Sequence, residues 1–360
     1  MPVPPIDKNT NAAGDGWRRR EFLTNALALL AGSSLLTIPH RAGAALPPIG
    51  TMKTAYGLSG AGVRPGAANA GVAGAGIHSG AAGTGVFPGA AGMGTSGQDL
   101  SIRQVIDRIL ADIPGAPFDK TVDTIKAGSA DQPVKGIVTT MFATDAVIEK
   151  TIQLGANFII AHEPTFYNHT DETDWLGDDV VFRFKKDLLD KHGIVVWRFH
   201  DYWHAHRPDG ILMGVLTALG WEKFYNANEP NIITVPAISL GDIVKKAKKQ
   251  LEIEKVKVIG DLSQSCQRIV ISPGAAGGRS QIGQLQKYHP DVLIVGELNE
   301  WETAEYVRDF RYQGGKTSLV VLGHSVSEEP GMQWLLPWLQ PKTPGVTITH
   351  VPSGDPFSLV

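Results

Sequence analysis

The chain holds a single cysteine, Cys266, so no disulfide within the chain can brace it. Charge of either sign is sparse. Charged residues make up 19% and the net charge is −3, which removes any electrostatic case for nucleic acid or an anionic membrane as partner. The apolar run Ala26–Ile38 is too short to span a bilayer. No repeat of solenoid period appears. Glycine, by contrast, is abundant at 41 residues, and its excess is local. Residues 57–97 are rich in Gly and Ala and have almost no large apolar side chains, so burial cannot offset their ordering entropy. They read as a flexible tether. Gly does not recur strictly every third residue, which excludes collagen.

Ahead of the tether stand Arg18-Arg19-Arg20-Glu21-Phe22-Leu23, the short apolar run and the small-residue site Ala42-Gly43-Ala44. A basic region, an h-region and an A-x-A site make a secretory signal, and the Arg-Arg-x-Phe-Leu core resembles the twin-arginine class. The expectation is export to the periplasm or beyond, with no stable membrane insertion after cleavage. No cysteine sits near the cleavage site to carry a lipid. A twin-arginine signal suits a chain that folds around a cofactor before export. The expected organisation is a signal over 1–44, a linker over 45–98, and two α/β lobes over 99–225 and 226–360.

From Leu100 onward, hydrophobic periodicity predicts alternating helices and strands. Helices are expected at 100–110, 144–154, 180–191, 240–251, 280–288 and 301–311. A last one within 326–339 is expected to be interrupted by Pro330-Gly331. Strands are expected at 135–143, 158–161, 194–199, 255–259, 268–271, 292–295, 318–322 and 346–351. This alternation implies an α/β fold with largely parallel or mixed sheets.

In such sheets, sites form beyond the carboxyl ends of the strands. The strand 158–161 runs into Ala161-His162-Glu163-Pro164-Thr165-Phe166-Tyr167-Asn168-His169. The next predicted strand runs into His200-Asp201-Tyr202-Trp203-His204-Ala205-His206, and 318–322 into Gly323-His324-Ser325-Val326-Ser327-Glu328. Five of the 11 histidines, His162, His200, His204, His206 and His324, fall at these three ends. Imidazole with carboxylate suits Zn, Fe, Mn, Co or Ni. A lone histidine at a strand end is more often a polar loop residue, and His200 is expected to be a satisfied core histidine; three converging clusters outweigh those readings.

Two of these stretches resemble the NIF-three-like family of dinuclear-metal proteins, labelled GTP cyclohydrolase I type 2 homologues. Its Ile-Ile-x-His-His-Pro-x-Phe is echoed by Ile159-Ile160-Ala161-His162-Glu163-Pro164-Thr165-Phe166, and its Gly-His-x-x-x-Glu by Gly323, His324 and Glu328. Its Thr-Gly-Asp/Glu segment is similar to Val295-Gly296-Glu297. Two departures stand out: Glu163 replaces a histidine, and His204 replaces an aspartate, so the ligand count is kept. The resemblance implies two divalent transition metal ions held by His162, Glu163, His204, His324 and Glu328, with Glu328 bridging. Glu163 serves either as ligand or as the base; the sequence leaves both open. Tyr167, His169, His200, Asp201, Tyr202 and Glu297 are expected to line a pocket for a heterocyclic or nucleotide-like small molecule. The implied activity is metal-dependent hydrolysis with Glu163 and Glu328 as catalytic carboxylates, in a homohexamer. The competing reading is a non-catalytic metal-binding or metallochaperone-like protein. The loop Gly274–Gly278 fits no dinucleotide or P-loop pattern.

Overall fold

A computed structural model describes residues 86–87 and 100–358, all within the unit Ile77–Val360. The expected signal and the rest of the expected linker lie outside the described residues.

In chain order, β1 (Val86–Phe87) precedes α1 (Ile102–Leu110), whose Ser101 N-cap forms a capping box with Gln104. Next come β2 (Ile125–Ala127), β3 (Ile137–Thr140), α2 (Asp145–Gln153), β4 (Phe158–Ala161), α3 (Val180–His192) and β5 (Val195–Arg198). Thr144 caps α2, and Gly193 ends α3 in the left-handed conformation. Two helices that periodicity did not reveal follow, α4 (Asp201–Ala205) and α5 (Gly210–Ala218). The remainder is β6 (Ile232–Ser239), α6 (Leu240–Gln250), β7 (Lys257–Ile259), β8 (Ser265–Ser272), α7 (Gly278–Tyr288), β9 (Val292–Val295), α8 (Glu305–Tyr312), β10 (Ser318–Val321), α9 (His324–Leu339) and β11 (Ile348–His350).

The strands form two sheets, ordered β1-β11-β3-β4-β5-β2 and β6-β8-β9-β10-β7. In each, the central strands are parallel and the edge strands antiparallel. Every residue of β3, β4, β5 and β9 is buried, as expected of parallel strands covered on both faces. Pro236 lies within β6, an edge strand, where a missing N–H is tolerated. The strands around 257 and 268 are not a hairpin: β7 and β8 sit on opposite sides of β9 and β10.

The chain does not divide between the sheets at one point near residue 225. β11 returns to pair with β3 in the first sheet. Helix α9 buries Met332, Leu335 and Leu336 in the first core, while α5 buries Val215 and Leu216 in the second. The two helices cross backbone to backbone, since a β-carbon on Gly214 would lie 2.4 Å from the Gly331 α-carbon. That crossing also corrects the expected break at Pro330-Gly331. Helix α9 runs through Pro330, and its packed length compensates for the lost hydrogen bond.

Strand register sets the site. Thr140, Ala161 and Arg198 are paired across β3, β4 and β5, so the residues that follow emerge level. Ser272, Val295 and Val321 are likewise paired in the other sheet, so Gly274, Gly296 and His324 follow from neighbouring strand ends.

Candidate metal centre

His162 directly follows β4 and is fully buried. Its Nδ1 lies 3.1 Å from the Phe199 carbonyl. A carbonyl only accepts, so Nδ1 carries the proton and Nε2 keeps a lone pair. The same orientation recurs three times. His200 Nδ1 is 2.9 Å from Asp201 Oδ1, His204 Nδ1 is 2.9 Å from Asp209 Oδ2, and His324 Nδ1 is 3.3 Å from Glu297 Oε2. Four imidazoles thus turn one nitrogen to an oxygen acceptor, the arrangement that orients histidine for a cation on its other nitrogen.

Two buried carboxylates face those rings. Glu163 Oε1 is 3.4 Å from His324 Nε2 and 3.7 Å from His200 Nε2. Glu328 Oε2 is 3.2 Å from His324 Nε2 and 3.8 Å from His162 Nε2. His162, His200 and His204 offer ligand atoms within 4.8 Å of one another, as do His162, Glu163 and Glu328, so His162 is common to both groups. His162 Nε2 is buried without a hydrogen-bond partner, and His324 Nε2 and Glu328 Oε2, 3.2 Å apart, are buried with no well-directed hydrogen bond. Buried polar atoms left so are costly, and these three converge, so the donor set fits a divalent transition metal.

Protonation in the metal-free protein differs among these groups. Burial holds His162 well below the usual imidazole range, and burial with His204 lowers His200, so both stay neutral. Burial opposes charge on His324, but Glu163 and Glu328 overcome it and raise the group to about 10. Burial alone would raise Glu163, yet His324, His162 and His200 draw it down to about 2. Glu328 moves the other way. It is the more deeply buried of the two and faces the Glu163 charge, so its carboxyl is raised despite His324.

Local packing makes these positions possible. Asp123 accepts the amide hydrogens of His200, Asp201 and Tyr202, capping α4, which carries His204. Burial raises the Asp123 carboxyl to about 6 although those amides lower it. Gly274 has φ +65°, and a β-carbon there would meet Glu328 Oε1 at 2.1 Å. The glycine-rich loop therefore makes room for a carboxylate.

Not every expected pocket residue arrives. Tyr202 is buried, packs its ring against Phe118 at 4.6 Å between centroids and accepts the Phe118 amide on its hydroxyl, which makes it a core residue. Tyr167 is half exposed and lies over Lys185, away from the donors. His169 reaches only the edge of the His200 ring, at 6.1 Å between centroids. Asp201 orients His200 and accepts from Thr121 and Val122, and Glu297 lies beside His324. His200, read by itself as a core histidine and by resemblance as a pocket residue, lies among the donors. Its spacing of four from His204 on one helix was the available signal. Asp209 and the buried Arg198 were missed. A cavity of about 450 Å³ is lined by Lys126, Phe166, Asp171 and Phe182 among others and includes none of the donors.

Comparison with known proteins follows the same lines. The model of the Duf34/NIF3 (NGG1p interacting factor 3) family matches residues 117–356. A Clostridium perfringens protein named GTP cyclohydrolase 1 type 2 homolog is 22% identical over 237 residues, covering 62% of this chain and 86% of its own length. An Escherichia coli K12 protein of the same name is 25% identical over 234 residues, with coverages of 62% and 86%. The crystal structure of a Bacillus cereus protein related to NIF3 superposes with a TM-score of 0.57 at 16% identity, over 73% of this chain and all of that one.

Proposed function

Since the chain belongs to the Duf34/NIF3 family, we propose that it is a dinuclear metal protein that hydrolyses a heterocyclic or nucleotide-like small molecule. The observation that carries this reading is the sharing of buried His162 between two donor groups, one of histidines and one with Glu163 and Glu328. His200 and His204 would hold one ion and Glu163 and Glu328, with His324 against both carboxylates, the other; His162 Nε2, with its one lone pair, would bind one of the two. Divalent ions bound there would polarise a substrate oxygen and bring the pKa of water towards neutrality.

The chain's own residues prepare that chemistry. Phe199, Asp201, Asp209 and Glu297 fix the rings with one nitrogen inward. Glu328, whose Oε2 lies near both His324 and His162, would serve as the bridging carboxylate, and Glu163 presents Oε1 as a donor. Those two carboxylates are groups in this space that could take a proton from water. The substrate class is supported by the name that the relatives carry, GTP cyclohydrolase 1 type 2 homolog.

Export through a twin-arginine signal to the periplasm or beyond is part of the proposal, supported by Arg18–Leu23 and Ala42-Gly43-Ala44. No helix among the described residues is long and apolar enough to cross a membrane. A homohexamer is proposed from the family resemblance, and sedimentation of the purified chain checks it.

The deciding experiment counts metals in purified protein by mass spectrometry and assays hydrolysis of nucleotides, phosphoesters and cyclic amides with and without chelator. Two ions per chain and chelator-sensitive turnover are expected. Two ions with no turnover on any panel would leave a metal-binding protein without catalysis.

A further inference from the structure

Arg198 ends β5 with its side chain completely buried, beside a space built for cations. A buried guanidinium needs full compensation, and one next to a metal-binding carboxylate would ordinarily compete with the metal. The geometry resolves that conflict. Arg198 Nη2 lies 3.5 Å from Glu163 Oε2, while Oε1 of the same carboxylate faces His324 and His200. The rest of the fork is committed to the loop that carries the donors. Nε donates to the His162 carbonyl at 3.2 Å and Nη1 donates to the His169 carbonyl. Nη1 also lies 3.6 Å from Asp171 Oδ2, which Lys126 approaches at 3.1 Å. Asp171 Oδ1 in turn accepts the amides of Thr165 and Phe166, at 2.7 and 2.8 Å. One planar side chain therefore spans both ends of the 162–169 loop and one oxygen of Glu163. A lysine, with a single point of charge, cannot make these contacts together.

We infer that Arg198 is a positioning residue of the metal centre: it retains Glu163 Oε2, so that Glu163 offers Oε1 alone to the cations and cannot chelate one ion with both oxygens. The inference rests on the metal reading above. It explains how a carboxylate can stand where a single-point donor is needed.

The test measures affinity for manganese(II) and zinc(II), each alone, by chelator competition on the full chain. The chains compared are wild type, Arg198→Lys, Glu163→Ala and the double variant. Arg198→Lys keeps the charge and loses the span, and is expected to weaken binding about 10- to 100-fold, the usual loss when a supporting contact to a ligand is removed. In the Glu163→Ala background it is expected to have no further effect. A role confined to folding would lower the thermal midpoint of the metal-free protein and leave affinity unchanged, which would overturn the inference. So would equal weakening in both backgrounds. Should Arg198→Lys fail to fold, a crystal structure of metal-loaded wild type decides: Glu163 bound through Oε1 with Arg198 on Oε2 upholds the role, and both oxygens on one ion overturns it. Wild type that binds neither metal overturns the metal reading and this inference together; wild type that binds while Arg198→Lys is unchanged overturns this one alone.

Discussion

Gly274, just after β8, and Glu328, in the first turns of α9, meet closely: the space a β-carbon would need on Gly274 is taken by Glu328 Oε1, 2.1 Å away. The backbone there has φ +65°, which costs a side chain about 1–2 kcal/mol. Gly274→Ala is therefore expected to displace the Glu328 carboxylate. The protein should remain folded, destabilised by about 1–3 kcal/mol, and lose bound metal. Denaturant unfolding read beside metal content by mass spectrometry checks both.

Asp209 has two tasks on two oxygens. Oδ1 accepts the Leu212 amide and caps α5, and Oδ2 faces His204 Nδ1. Asp209→Asn keeps an oxygen for the cap and removes the charge from His204. Affinity for zinc(II) is expected to fall about 10- to 100-fold, with stability within about 1 kcal/mol of wild type. Equal affinity in the variant would remove Asp209 from the account.

The pH response of the metal-free protein follows from His324, whose folded-state pKa is raised from 6.5 to about 10 by Glu163 and Glu328 against burial. The folded protein therefore holds a proton that the unfolded chain has released. This contribution is fully present below pH 6.5 and is lost as pH rises towards 10. The thermal midpoint of metal-free protein should fall across that window, and His324→Gln should flatten the fall. Metal binding at pH 7–9 should release protons, seen as a dependence of calorimetric enthalpy on buffer ionisation.

How much of this was legible beforehand depends on range along the chain. β4, α2 and α6 announce themselves through local apolar patterning and caps such as Thr144 and Ser239. His162, His204, His324 and Glu328 were visible as polar residues at strand ends. What the sequence hid are partnerships between distant segments: β11 with β3, Gly214 against Gly331, and Arg198 on Glu163. The different fates of Tyr202 and His200, both expected at the pocket, have a related reason. The α4 turn, held by Asp123 from far upstream, sends Tyr202 to the core and His200 to the donors.

The most direct test is anomalous diffraction from crystals of the full chain grown with manganese(II) or zinc(II). The account predicts two peaks about 3.5–4 Å apart, one of them bonded to His162 Nε2, with Glu328 touching each. One peak served by the histidines alone, or none between His162 and Glu328, would contradict it.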